Sequence, residues 1–232
     1  MMNDQPDLGD FRGAARLFPL PNLVMFPNGV QALHVFEPRY RQMTADALVD
    51  DRLIAVVLLK PGWEDLYQGN PAIHRVACLG RVIADHQLPD GRYNILLRGL
   101  QRVRLRREIN NEKMYRVAQA ELLEDNPPED IATASALRKE LEETLLPRFK
   151  AHSSALTQIH DLFHGELVLG ALCDVLAFAL PFPPEMKQGL LEQLDVVRRA
   201  RNLIDLIGGL TPDPAVVAAA ANRKWPPDFS VN

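Results

Sequence analysis

An α+β fold, with a strand-rich unit followed by a helical bundle, is what this 232-residue sequence predicts. Three observations carry the prediction. Runs rich in Val, Ile, Leu and Tyr, separated by turn residues, fill the first half. Pro127-Pro128 then marks a change of period. Beyond it leucines recur every four residues, which sets them on one helix face. The expected boundaries are a flexible N-terminus over 1–15, a β-rich subdomain over 16–125, a helical bundle over 126–210 and a tail over 211–232.

The strand segments are 17–20, 30–36, 53–59, 74–84, 93–107 and 114–123. Turn signals lie between them at Pro27-Asn28-Gly29, Pro61-Gly62, Gly69-Asn70-Pro71 and Pro89-Asp90-Gly91. Asp90-Gly91 is the best of these, because glycine tolerates the positive φ of a tight hairpin. It should join 74–86 to 93–107 as an antiparallel pair. One helix interrupts the strands. Glu37-Pro38 starts it, with proline pre-set for the first turn, and Tyr40, Met43, Ala47 and Leu48 give it an apolar stripe.

In the second half, Leu137, Leu141, Leu145 and Phe149 mark a first helix. Leu172, Val175, Leu176, Ala179 and Leu180 mark another, which ends before Pro181. Leu190, Leu194, Val197, Ile204 and Ile207 read as one long helix stopping at Gly208-Gly209. In the tail, Trp225 and Phe229 are candidate docking aromatics.

Hydrophobic residues make up 47% and charged residues 24%, which suits a packed protein and excludes general disorder. The net charge of −4 does not favour nucleic acid or anionic membrane as a partner. Cys78 and Cys173 sit far apart in apolar surroundings, as buried thiols of a reduced, cytoplasmic protein do. The acidic N-terminus lacks the pattern of a signal peptide. The apolar run 167–182 contains Asp174 and is shorter than the ~20 residues of a membrane span, so a core helix is expected there.

Leu17-Phe-Pro-Leu-Pro-Asn-Leu-Val-Met-Phe-Pro27, followed by His34-Val-Phe-Glu-Pro-Arg-Tyr-Arg41, resembles the opening signature of the Lon protease N-terminal domain. Leu79-Gly80-Arg81, Pro89-Asp90-Gly91-Arg92 and Leu97-Arg-Gly-Leu-Gln-Arg102 are similar to later motifs of that family, as are Lys187-Gln188, Leu190-Leu191 and Asp195. One departure is Ala32-Leu33, where the family often has Pro-Leu. The resemblance spans about residues 15–208. It implies a PUA-like β-barrel or pseudo-barrel followed by a helical bundle, and a module that recognises protein substrates. No Gly-x-x-x-x-Gly-Lys-Ser/Thr loop occurs, and none of the six lysines precedes Ser or Thr. The expectation is therefore a stand-alone member without ATPase or peptidase domains: a non-catalytic module with no cofactor, an adaptor for a protease or chaperone system or a scaffold by itself, whose partners are proteins or unfolded peptide segments.

The binding candidates are apolar and lie on loops. Leu23 and Met25 stand in a proline-bracketed stretch, beside Val24 and Phe26, which suit the core better. Trp63 and Tyr67 occupy the 60–72 connection. Two rival readings come from other residues. Arg102, Arg104 and Arg106 share one face of a strand and invite RNA, as PUA domains do, although no aromatic interleaves them for base stacking. His160 and His164 would share a helix face with metal-ligand spacing, as in a small metal-dependent hydrolase, but Asp161 is a methylene short for the base role and nothing in the pattern singles out Glu166 or Asp174 as a third ligand. The plainer expectation is a helix-end histidine pair and no metal. Neither cysteine, nor Ser153-Ser154 in an expected loop, has the setting of a nucleophile. Glu37 and Arg39 are expected to bond within the domain, and Gly80, Gly91 and Gly99 to serve the backbone.

Overall fold

The computed structural model describes residues 8–9, 11–67, 69–149, 153–210 and 230–231. Most of the N-terminus expected to be flexible, and the aromatics Trp225 and Phe229, lie outside the described residues. Contacts divide the chain into a β unit, residues 1–123 with 226–232, and a helical unit, residues 124–225.

The β unit contains β1 (Ala14–Leu20), β2 (Val30–Val35), α1 (Pro38–Leu48), β3 (Leu53–Leu58), β4 (Val76–Gln87), β5 (Tyr93–Ile109), β6 (Val117–Leu123) and β7 (Ser230–Val231). Strand β1 runs parallel to β3, which is antiparallel to β4. The ring continues through β5 and β6, and β6 returns antiparallel to β1. Strand β5 reaches both neighbours on one edge because it is long. Its residues 102–109 pair with β6 and its residues 93–98 pair with β2. The result is a near-closed barrel with β2 as a flap on one edge.

Inward residues alternate along every ring strand, as a period of two requires. Leu17, Leu53, Val57, Leu79, Val103 and Leu105 fill the lumen together with Ala15, Ala55, Ala77, Ala118 and Ala120. The alanines suit the narrow bore of so small a ring. Strand β3 is buried on both faces, like the strands of a covered parallel sheet. Helix α1 contributes to that cover. Its Tyr40, Met43 and Ala47 are buried, and the Tyr40 ring lies 4.6 Å from that of Phe18 in β1. Glu37 occupies the N-cap position and Pro38 the first turn, where its missing N–H costs no hydrogen bond.

The hairpin at Asp90-Gly91 forms as its residues demand. Gly91 has φ +80°, Leu88 N–H donates to the Arg92 carbonyl (2.8 Å), and Asp90 accepts from Arg92 N–H (3.1 Å). The ladder from β1 to β6 stops for an equally local reason. Leu17 N–H donates to the Arg116 carbonyl (2.9 Å), but Pro19, two residues on, has no N–H to offer. Its carbonyl accepts instead from the Tyr40 hydroxyl (3.4 Å).

The helical unit contains α2 (Ile131–Leu145), α3 (Ser153–His164), α4 (Leu169–Ala179), α5 (Pro184–Glu192) and α6 (Val196–Gly209). Leu137, Leu141 and Leu145 of α2 are buried as their spacing predicts. Two expectations are corrected here. Ser153 starts α3 and does not lie in a loop. The single long helix expected from Leu190 to Ile207 is two helices, because the Asp195 carboxylate accepts from Arg198 N–H (3.0 Å) and begins α6 afresh. The buried stripe of α6 is Val196, Arg199, Ala200, Leu203 and Ile207.

Arg199 is fully buried at the centre of this unit. It donates to Asp125 Oδ1 (2.9 Å) and to the Gln193 carbonyl (2.8 Å), and its Nε lies 3.5 Å from Asp174 Oδ1. Asp174 is therefore committed to an ion pair, not to a metal. Burial opposes the Arg199 charge, but the two carboxylates outweigh it and raise the guanidinium pKa. Among the described residues, no helix is long and apolar enough to cross a membrane.

Candidate protein-binding surface

The connection after β3 brings two aromatic residues and an exposed aliphatic onto one short turn. Pro61 and Gly62 turn the chain, Gly62 at φ +82°, into a short 3₁₀ turn over Glu64–Leu66. Trp63 and Tyr67 flank that turn, and their rings meet edge to face at 5.5 Å. Both are half-buried, while Leu66 between them is 58% exposed.

Helix α1 fastens this turn to the barrel. The Tyr67 hydroxyl donates to Glu37 Oε1 (2.6 Å), and Arg39 Nη1 donates to the Tyr67 carbonyl (3.2 Å). Arg39 also pairs with Glu37 (2.9 Å) and lies over the Tyr40 and Tyr67 rings, 4.6 and 4.9 Å from their centroids. Glu37 and Arg39 thus bond within the domain, as expected. Partial burial and the Glu37 hydrogen bond push the Tyr67 pKa up, and burial does the same for Tyr40. Both phenols stay protonated at neutral pH and act as donors.

Next to this cluster is a cleft of 290 Å³ lined by Pro19, Arg39, Tyr40, Gly69, Asn70, Met114, Tyr115 and Arg116. Burial, and then its bond to Asp46 (2.7 Å), push the Tyr115 phenol up to about 12. Arg116 is held by Glu108 (2.5 Å) and the Pro71 carbonyl (2.8 Å). The phenol hydroxyls of Tyr40, Tyr67 and Tyr115 donate to Pro19, Glu37 and Asp46, so these bonds brace the wall of the cleft.

Of the loop candidates, Trp63 and Tyr67 are brought together, and Leu23 is half-buried on the separate 21–29 loop. Met25 is a correction. It is fully buried, as is Phe26, with Val24 3% exposed, so it cannot meet a partner in this structure. The cause is a clamp on β5. Gly99 N–H donates to the Gly29 carbonyl (2.8 Å), and Asn28 N–H donates to the Gly99 carbonyl (2.9 Å). Sequence reasoning missed Leu66, which follows Trp63 and Tyr67 onto the same turn. It also missed an apolar cleft of 460 Å³ in the helical unit, whose lining includes Ile131 and Val168, 85% and 72% exposed. Both begin helices, where an exposed aliphatic carries no periodic signal.

The arginine stripe is also corrected. Arg102 is 3% exposed, Arg104 is half-buried, and Arg106 pairs with Glu121 (2.9 Å) across the sheet. The strand does not offer a row of phosphate-binding cations. His160 and His164 stack at 3.9 Å, and His164 Nδ1 donates to the His160 carbonyl (3.0 Å), which occupies one ligating nitrogen. Among the described residues, no three metal-capable side chains gather. Cys78 and Cys173 are fully buried.

Residues 14–208 match the sequence model of the ATP-dependent protease La (LON) substrate-binding domain. The chain belongs to this family. Lon protease 2 of Myxococcus xanthus is 27% identical over 203 residues, which is 82% of this chain and 23% of that protein. Lon protease of Anaeromyxobacter dehalogenans is 27% identical over 210 residues, again 23% of its length. This Lon-domain chain thus spans 23% of the length of these curated relatives. Two solved structures share the fold. The Lon N-terminal domain protein from Xanthomonas campestris superposes with a TM-score of 0.60 at 23% identity, covering 83% of this chain and 97% of its own. The N-terminal domain of Mycobacterium avium complex Lon protease gives 0.66 at 16% identity, covering 85% and 100%.

Proposed function

We propose that this Lon-domain chain is a non-catalytic, cytoplasmic module that binds unfolded protein segments and acts as an adaptor for a protease or chaperone system. The match of residues 14–208 to a substrate-binding domain carries this reading. The surface supports it: Trp63, Leu66 and Tyr67 form an aromatic and aliphatic ledge on a braced turn, with Leu23 as a further half-exposed aliphatic. Burying exposed apolar residues of a partner supplies the driving force, and rigid aromatics make effective anchors.

Fluorescence anisotropy with a reduced, carboxymethylated protein, permanently unfolded, tests the reading against the same protein in its native form. Binding of the unfolded form alone, without nucleotide, is the expected result. The Trp63→Ala/Leu66→Ala variant should bind about tenfold more weakly, the order of effect of losing one anchor. An Ile131→Ser/Val168→Ser variant reports separately on the helical cleft. If the parent chain ignores the unfolded probe, the proposal fails. If both variants bind as the parent does, the ledge and the cleft are not the surface. For the adaptor role, adding the chain to an ATP-dependent protease should change the rate at which that protease degrades the same probe.

A further inference from the structure

The geometry points to the outer edge of β2 as a strand-addition site for an extended, proline-free segment of the protein partner, a site that the chain's own C-terminal residues occupy in its absence. Among the described residues, strand β2 is flanked on one side by β5 and on the other by β7, whose Ser230 and Val231 lie parallel to Leu33 and His34. The ring closes without β2, so β2 presents a strand edge outside the closed ladder, and β7 shows that this edge takes an extended segment. An edge that accepts one extended segment in a defined register is chemically competent to accept another, since main-chain hydrogen bonds supply the affinity in this mode.

Direction supports a partner longer than β7. A segment parallel to β2 runs towards Phe36, which is 38% exposed and stacks on His34 at 6.2 Å. The next residue is Glu37, the hydrogen-bond partner of Tyr67. A bound segment would therefore leave the strand edge at the braced aromatic turn, where its side chains meet apolar surface. Among the described residues, β7 pairs with Leu33 and His34, and Phe36 lies beyond that register. The hold of β7 depends on being tethered to the same chain, which raises its local concentration without adding contact. A partner that spans edge and ledge displaces it.

This inference rests on the proposed binding of unfolded segments, and the experiment separates the two. Hydrogen exchange is followed in the full chain with and without the reduced, carboxymethylated probe, and again in a Ser230→Pro/Val231→Pro variant. Proline removes the donors that a paired strand needs. Expected are faster exchange of β2 amides in the unliganded variant, slowing of that exchange by the probe in both proteins, and roughly three- to tenfold tighter probe binding by the variant, because the competing state is gone. Probe binding that leaves β2 exchange unchanged, with equal affinity in both proteins, overturns the strand-edge site and leaves the functional reading standing. No probe binding by either protein overturns the functional reading and this site with it.

Discussion

At Gly99 the space beside the backbone is already taken. A Cβ built there would stand 2.0 Å from the Phe26 carbonyl oxygen, so any side chain must force the 21–29 loop off β5. Gly99→Ala should therefore cost several kcal/mol, beyond the ~0.5–3 kcal/mol of an ordinary substitution, and urea unfolding would measure it. Arg199 makes a second test. Removing one member of a buried ion pair costs about 3–5 kcal/mol, because here the Asp174 charge would stay buried without its partner. Arg199→Met should lose that much, and Arg199→Lys should recover little, since an ammonium cannot span Asp125 and the Gln193 carbonyl as the guanidinium fork does. An unchanged urea midpoint in Arg199→Met would show the cluster to be unimportant. At this scale the sequence was only partly legible. Gly99 could be marked as a backbone position, but nothing local says that Phe26 is what approaches it, and the same ignorance left Met25 on the surface. Alternation showed that Arg102, Arg104 and Arg106 share a face, not that other segments cover the first of them.

Elements were read more faithfully than residues. The six expected strand segments coincide with β1 to β6 within three residues at each end, because period-two burial and turn residues are local signals. The start of α1 and the β4–β5 hairpin follow for the same reason. What failed was the break between α5 and α6. Gln193-Leu194-Asp195 contains neither proline nor glycine, and the cue was Asp195 acting as an N-cap inside a continuous apolar pattern. Strand pairing also gives a pH prediction. Arg116 holds Glu108 through two hydrogen bonds (2.8 and 2.5 Å), and this keeps its carboxyl below the ordinary value of 4.5. A depressed carboxyl pKa stabilises the fold above the unfolded value, and the gain is lost as pH falls below 4.5 through the folded value. Glu108 is 45% exposed, so the gain is at most about 1 kcal/mol. The urea midpoints of parent and Glu108→Gln should differ at pH 7 and converge by pH 3. A gap that persists in acid would assign the difference to something other than charge.

For the whole molecule, the α+β class and the family were legible because ordered motifs and a change of period extend over most of the chain. The circular connectivity was not legible, since no local pattern says that β1 pairs in parallel with β3 or that β6 returns to β1. The proposed binding surface stood between these cases. Its aromatics were visible as residues, but the brace from Glu37 and Arg39 that sets Trp63, Leu66 and Tyr67 on one ledge exists only in three dimensions. Loss of unfolded-probe binding in the ledge variant, with an unchanged urea midpoint, would separate recognition from stability.

The join between β1 and β6 ties Ala14 to Gln119, almost the full length of the β unit apart. A growing polypeptide at the ribosome cannot make that join until Gln119 has emerged. At ordinary synthesis speeds of about 5–20 residues per second, the first strand waits roughly 5–20 s with one side bare. During that interval the nascent product is itself an unfinished client for chaperones.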